Sequence, residues 1–143
     1  MNDELSEYTF DEIKIGLTKQ FQITITESIV DDFAKLTGDF SPIHMDEDYA
    51  STTTFQRRVV DGMLLASFLS KIVGMCLPGK HALYLSQSLD FRYPCFFGDI
   101  ITVYSVVIDK SVSTKILKIE SKITNEDGKI LLSGIGRVIV RDD

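Results

Sequence analysis

A chain of 143 residues with 44% hydrophobic and 25% charged residues has the size and composition of one globular domain. Such a chain can bury roughly two thirds of its unfolded surface without disulfide or metal staples. The net charge of -6 is spread along the sequence with no run of five basic residues, which argues against a nucleic-acid binder, and no apolar run reaches the ~18 residues of a membrane span.

The start, MNDELSEYTFDEIKIG, is acidic and lacks a basic stretch followed by an apolar one, so no secretory signal is expected. Cys76 and Cys95 form no CxxC pair and read as reduced thiols in a reducing compartment, which predicts a cytoplasmic protein. No repeat, low-complexity stretch or linker divides the chain, and residues 1–143 read as a single domain.

Residues 19–26 alternate Phe21, Ile23 and Ile25 with polar neighbours, the period of a half-buried strand. Thr26 then caps a short amphipathic helix on which Ile29, Phe33 and Leu36 recur at helical spacing, and Gly38 stops it. Asp39, Phe40, Ser41 and Pro42 are turn residues leading to His44, and Asp46 is placed to cap a further short helix through Ala50. Residues 62–77, GMLLASFLSKIVGMCL, are apolar on nearly every face and meet Pro78 and Gly79, which predicts a long helix buried all round.

Four β-rich runs follow, over residues 81–93, 100–110, 115–125 and 129–141, with turn chemistry at each joint and a hairpin signal in Asn125-Glu126-Asp127-Gly128. The order predicts an α+β fold in which an antiparallel sheet of about five strands wraps a long central helix, an arrangement that resembles the hot-dog architecture. The open sheet leaves edges, and pairing two chains as a homodimer would cover them.

Asp39 lies five residues before His44, one of two histidines in the chain. If the loop turns back, the two side chains converge on one water and form a general acid/base pair. As a bare pair they fit equally a solvated Asp and a structurally bonded His.

Taken together, TGDFSPIHMDEDYA, FQRRVVDGMLLASFLS and YLSQSLDFRYPCFFGD resemble the MaoC-like dehydratases and (R)-specific enoyl-CoA hydratases, over residues 39–99. The resemblance implies that Asp39 and His44, which meet the family's Asp-x-x-x-x-His motif, are catalytic. It implies that the Gly62 amide, at a helix N-terminus, polarises the thioester carbonyl. It also matches Ser67 to a helix serine supporting the catalytic Asp, although a serine there can instead bond back to a carbonyl one turn earlier.

Two positions depart from the family pattern: Asp61 stands where His usually precedes the helix glycine, and Arg58 where Pro is common. An anion beside the oxyanion donor opposes charge on the thioester oxygen unless it points away as a helix cap, so Asp61 is expected to modulate turnover and not to carry it. Arg58 is then its partner or a contact for a CoA phosphate.

Tyr84, Phe91 and Tyr93 read as core or tunnel wall, with Tyr84 a substrate-contact candidate, and His81 reads as a surface residue. His44 with Asp46 and Asp48 lacks the spacing of a zinc site, and there is neither a Gly-rich phosphate loop nor a GxSxG elbow. No metal and no redox cofactor is expected.

The expected reaction interconverts a trans-2-enoyl thioester and an (R)-3-hydroxyacyl thioester, with CoA or acyl-carrier protein as the handle. A thioesterase of the same fold and a non-catalytic acyl-thioester binding module are the alternatives.

Overall fold

The computed structural model describes residues 4–143, so the first three residues of the acidic start lie outside it. Strand β1 (Thr18–Thr24) leads into helix α1 (Glu27–Thr37), whose start is fixed by Thr26 Oγ1 accepting from the Ile29 amide at 3.2 Å. Gly38 ends that helix at φ 82°, a left-handed conformation that a glycine takes without strain, and so sets the direction in which Asp39 leaves. Two short helices follow, α2 (Pro42–Met45) and α3 (Glu47–Ser51), the second capped by Asp46 as expected.

The long helix has the expected length but is less buried than its composition predicts. Helix α4 (Gly62–Lys71) widens into a π turn over Ile72–Cys76. Leu64, Leu65, Leu69, Ile72 and Val73 enter the core, whereas Met63 is 58% exposed and Ser67, Ser70 and Gly74 continue the same open stripe. The apolar composition misled because this stripe floors a groove instead of meeting the sheet.

Strands β2 (Ala82–Gln87), β3 (Asp90–Phe91), β4 (Ile100–Ser111), β5 (Ile116–Thr124) and β6 (Ile130–Val140) complete an antiparallel sheet with the order β1-β4-β5-β6-β2. Five strands form the path and the two-residue β3 pairs with β6 beside it, so the predicted run 81–93 is broken in two. Its register against β6 slips between Tyr84 and Ser86, the signature of a bulge at Leu85. Val103, Val107, Leu117, Ile119, Leu132 and Val138 alternate along the inner face and close over α4, the hot-dog arrangement of an α+β fold.

The two buried hydroxyls of that face, Ser105 and Ser121, satisfy each other at 2.6 Å. Neither Cys76 nor Cys95 forms a disulfide, and burial with the Asp99 carboxylate pushes the Cys95 thiol up to about 12. No helix among the described residues is long and apolar enough to cross a membrane.

Candidate active site

Asp39, His44 and Asp61 come together although three separate segments carry them. Their donor atoms all lie within 4.8 Å of one another. Asp39 stands on the turn after α1, its Oδ1 accepting from the Ser41 amide at 3.1 Å and its own amide donating to Thr37 Oγ1 at 3.1 Å. One carboxylate oxygen is thereby held by the backbone of the turn, and the side chain stays open to solvent.

His44 sits on α2, half-buried, with Nδ1 2.6 Å from the carbonyl oxygen of Val59. A carbonyl only accepts, so Nδ1 carries the hydrogen and Nε2 is turned towards the two carboxylates. The backbone of the same residue is pinned by Arg58, whose Nε donates to the His44 carbonyl at 2.5 Å.

Arg58 is not a partner of Asp61. Its guanidinium pairs with Glu27 at 3.0 Å and Asp31 at 3.3 Å, lies 4.6 Å over the Phe97 ring and is itself buried. Its ties to Glu27, Asp31 and the His44 carbonyl brace α1 against α2.

Asp61 precedes α4 but makes no capping bond with its side chain, contrary to the cap considered from the sequence. Its carboxylate is buried, both oxygens lack a hydrogen-bond partner, and Oδ2 lies 3.7 Å from His44 Nε2. Burial pushes the Asp61 carboxyl above the usual carboxylate range, against the opposing pull of His44. Two acids and one imidazole at this separation can share a proton.

Gly62 is the first residue of α4, where a backbone N–H has no partner inside the helix. A Cβ at this position would come within 2.6 Å of Phe91 Cδ1, so only glycine lets that ring lie against the helix start. Ser67 does not reach Asp39: its hydroxyl donates to the Leu64 carbonyl at 2.6 Å, one turn back. The phenol of Tyr84 donates to Gln87 Oε1, and burial pushes it up to about 12. His81 is far along the chain from this cluster, with Nδ1 3.0 Å from the Asp143 carbonyl oxygen, and takes no part in it.

Two apolar hollows open beside the cluster. A groove of about 750 Å³ is lined by Asp39, Phe33, Met63, Ser67, Tyr84 and Leu89. A cleft of about 500 Å³ is lined by His44, Gly62, Phe91, Tyr93 and Leu131, and Met63 borders both. The acid and the imidazole thus face different hollows and meet between them, as a ligand threaded past both would require. In the sequence Arg58 and Asp61 stand out as departures from the family pattern and as site candidates, but their contacts join separate segments that the sequence does not reveal.

A family model described as MaoC like domain matches residues 11–128. An (R)-specific enoyl-CoA hydratase of Rhodospirillum rubrum is 38% identical over 138 residues, covering 96% of this chain and 95% of that protein. Among solved structures, the (R)-hydratase of Aeromonas caviae matches with a TM-score of 0.87 and 35% identity over 90% of this chain and 98% of the other. The unliganded R-hydratase of Pseudomonas aeruginosa matches with a TM-score of 0.92 and 28% identity over 97% and 89%. The match over most of the chain means that this chain belongs to the MaoC-like domain family.

Proposed function

We propose that the chain is a hydro-lyase that adds water to a trans-2-enoyl-CoA to give the (R)-3-hydroxyacyl-CoA, and catalyses the reverse elimination. The observation that carries this reading is the convergence of Asp39 and His44, from α1 and α2, beside the free amide at the start of α4. The name and coverage of the Rhodospirillum rubrum relative support the choice of thioester and of product hand.

The thioester carbonyl makes C3 electrophilic. A water held between Asp39 and His44 loses a proton to the pair as its oxygen bonds to C3, and the pair returns a proton to C2 on the same face. The Gly62 amide donates to the oxygen that carries the transient enolate charge, aided by the positive end of the α4 dipole. Both hollows are mainly apolar, which suits the acyl chain and the thioester on either side of the pair. This chemistry asks for no redox group, and the CoA moiety serves as the handle.

Two chains pair in this reading. Strand β2 is a sheet edge, and Leu83 and Leu85 on it are 50% and 43% exposed, close to the groove that a second copy would roof. Two cysteines outside any disulfide and a net charge of -6 accord with a cytoplasmic, single-domain protein.

Incubation with crotonyl-CoA tests the reaction. Loss of the enoyl-thioester absorbance with formation of (R)-3-hydroxybutyryl-CoA is expected. Release of free CoA without hydration would identify a thioesterase, and tight binding without turnover a binding module.

A further inference from the structure

The chemistry above gives no part to Asp61, yet this carboxylate points at the catalytic imidazole. Its side chain is 5% exposed, and neither oxygen has a hydrogen-bond partner. The nearby arginine, Arg58, is engaged by Glu27, Asp31 and the His44 carbonyl. With Nδ1–H held by Val59, a neutral His44 would present the Nε2 lone pair to Asp61 and Asp39. Three acceptors would then face one another with no donor between them, and in a partly buried site that arrangement is costly. One proton on the pair turns the 3.7 Å approach of Nε2 and Asp61 Oδ2 into an attraction.

We infer that Asp61 is a positioning residue for proton transfer: the His44–Asp61 pair holds one proton in the resting site, and that proton reaches the substrate only through His44 Nε2. Access decides the route, because the Asp61 carboxyl is closed off whereas the His44 side chain is 19% exposed and borders the cleft. The upward push of burial on Asp61 agrees with a proton retained at the pair. The titratable groups acting on Asp61 are His44 on α2 and Asp39 on the turn after α1. From the sheet, β3 presents the uncharged ring of Phe91 beside Gly62.

This inference rests on the hydratase reading and divides its labour. In hydration the water oxygen bonds to C3 and its proton passes to the Asp39 carboxylate. The C2–C3 π pair moves towards the carbonyl as an enolate, which collapses to take a proton at C2 from His44 Nε2. The imidazole, now neutral, is reloaded by the proton on Asp39 through the next water, so one water is consumed and the site returns to its starting charge. Asp61 thus favours one of the two assignments that the Asp39–His44 motif alone leaves open.

The test combines ¹⁵N-histidine NMR of the resting protein with the pH profile of kcat, for wild type, Asp61→Asn and Asp61→Glu. Loss of the proton from the pair, read on the His44 ring nitrogens, should move ~1 pH unit lower in Asp61→Asn. The alkaline limb of kcat should move with it, and kcat should fall ~30-fold while KM stays within ~3-fold. Asp61→Glu, which keeps the charge, should restore the limb. If Asp61→Asn does not fold, Asp61→Ser carries the same comparison. An unmoved His44 titration and an unmoved alkaline limb would overturn the inference even if kcat fell, since a structural role gives that result. It would be overturned equally if EDTA altered the wild-type His44 signals, because the three acceptors would then hold a metal ion. The NMR readout needs no turnover, so a protein that shares the proton but fails to hydrate crotonyl-CoA sinks the hydratase reading alone.

Discussion

Arg58 Nε donates to the carbonyl oxygen of His44 at 2.5 Å, while the rest of its guanidinium reaches Glu27 and Asp31 on α1. One side chain therefore fixes the distance between the helix that delivers Asp39 and the one-turn helix that carries His44. The planar fork matters, since a lysine ammonium cannot bind the carbonyl and both acids in that geometry.

Arg58→Lys should consequently cost about 2 kcal/mol of stability, roughly two charged hydrogen bonds discounted for the exposure of Glu27 and Asp31. Thermal melting should show Tm lower by ~5 °C. Turnover of the folded variant should drop ~10-fold through misplacement of His44, with the loss in kcat and not in KM. A variant with wild-type kcat would show that the α1 to α2 spacing does not depend on this contact.

Asp39→Asn and His44→Gln should each lower crotonyl-CoA hydration by at least ~100-fold, the scale of losing a general acid or base. Their folding should be little affected, because Asp39 is exposed and His44 half-buried. Circular dichroism together with initial rates checks both halves of this expectation, and near wild-type turnover in either variant would remove that residue from the chemistry.

Much of this arrangement is legible in the sequence where the signal is local. Thr26 and Gly38 bracket α1 because a cap and a left-handed stop act within one turn of the helix, and the period-2 pattern of β4 to β6 follows from one inner face. At Asp61 a helix-cap position and a buried carboxylate look the same in one dimension, and only the fold, which brings its Oδ2 to 3.7 Å from His44 Nε2, separates the two. The same limit applies to the open stripe of Met63, Ser67 and Ser70, whose apolar context hides the groove that only the folded sheet creates.

Ser67→Ala should leave hydration within ~2-fold of wild type, because the hydroxyl is bonded to the Leu64 carbonyl inside its own helix and gives nothing to Asp39. Alanine also has the higher helix propensity, so stability should hold or rise by a few tenths of a kcal/mol. A loss of ~10-fold or more in kcat would show that the serine turns to support Asp39 when substrate is bound.

Asp61→Asn should be more stable than wild type at neutral pH, a gain set against lost activity. The folded carboxyl titrates above its unfolded value, so the folded protein takes up a proton that the unfolded chain has already released. This contribution to stability is complete at low pH and is lost as pH rises from the unfolded carboxylate range towards the folded value. The Tm advantage of the variant should therefore grow as pH rises above the unfolded carboxylate range and reach ~3 °C. A difference independent of pH would mean that the Asp61 charge is fully compensated in the fold.

The last prediction concerns the second copy. Strand β2 ends the sheet path with unpaired backbone groups, and Leu83 and Leu85 stand half-exposed along it. Such an edge invites association, and natural sheets that remain alone usually protect it with charge or proline, neither of which occurs between Ala82 and Gln87. Leu85 also lines the groove beside Asp39, so a partner that covers this strand would change the shape of the acyl site as well as the sheet edge. Light scattering of the wild type at micromolar concentration should give the mass of a homodimer. Leu85→Lys, which places a charge on the edge without touching Asp39 or His44, should shift the protein towards monomer, and kcat/KM should fall most for long enoyl chains that need the roofed groove. A variant that became monomeric with unchanged chain-length preference would separate dimerisation from substrate binding, and a wild type that was already monomeric would dispose of the pairing altogether.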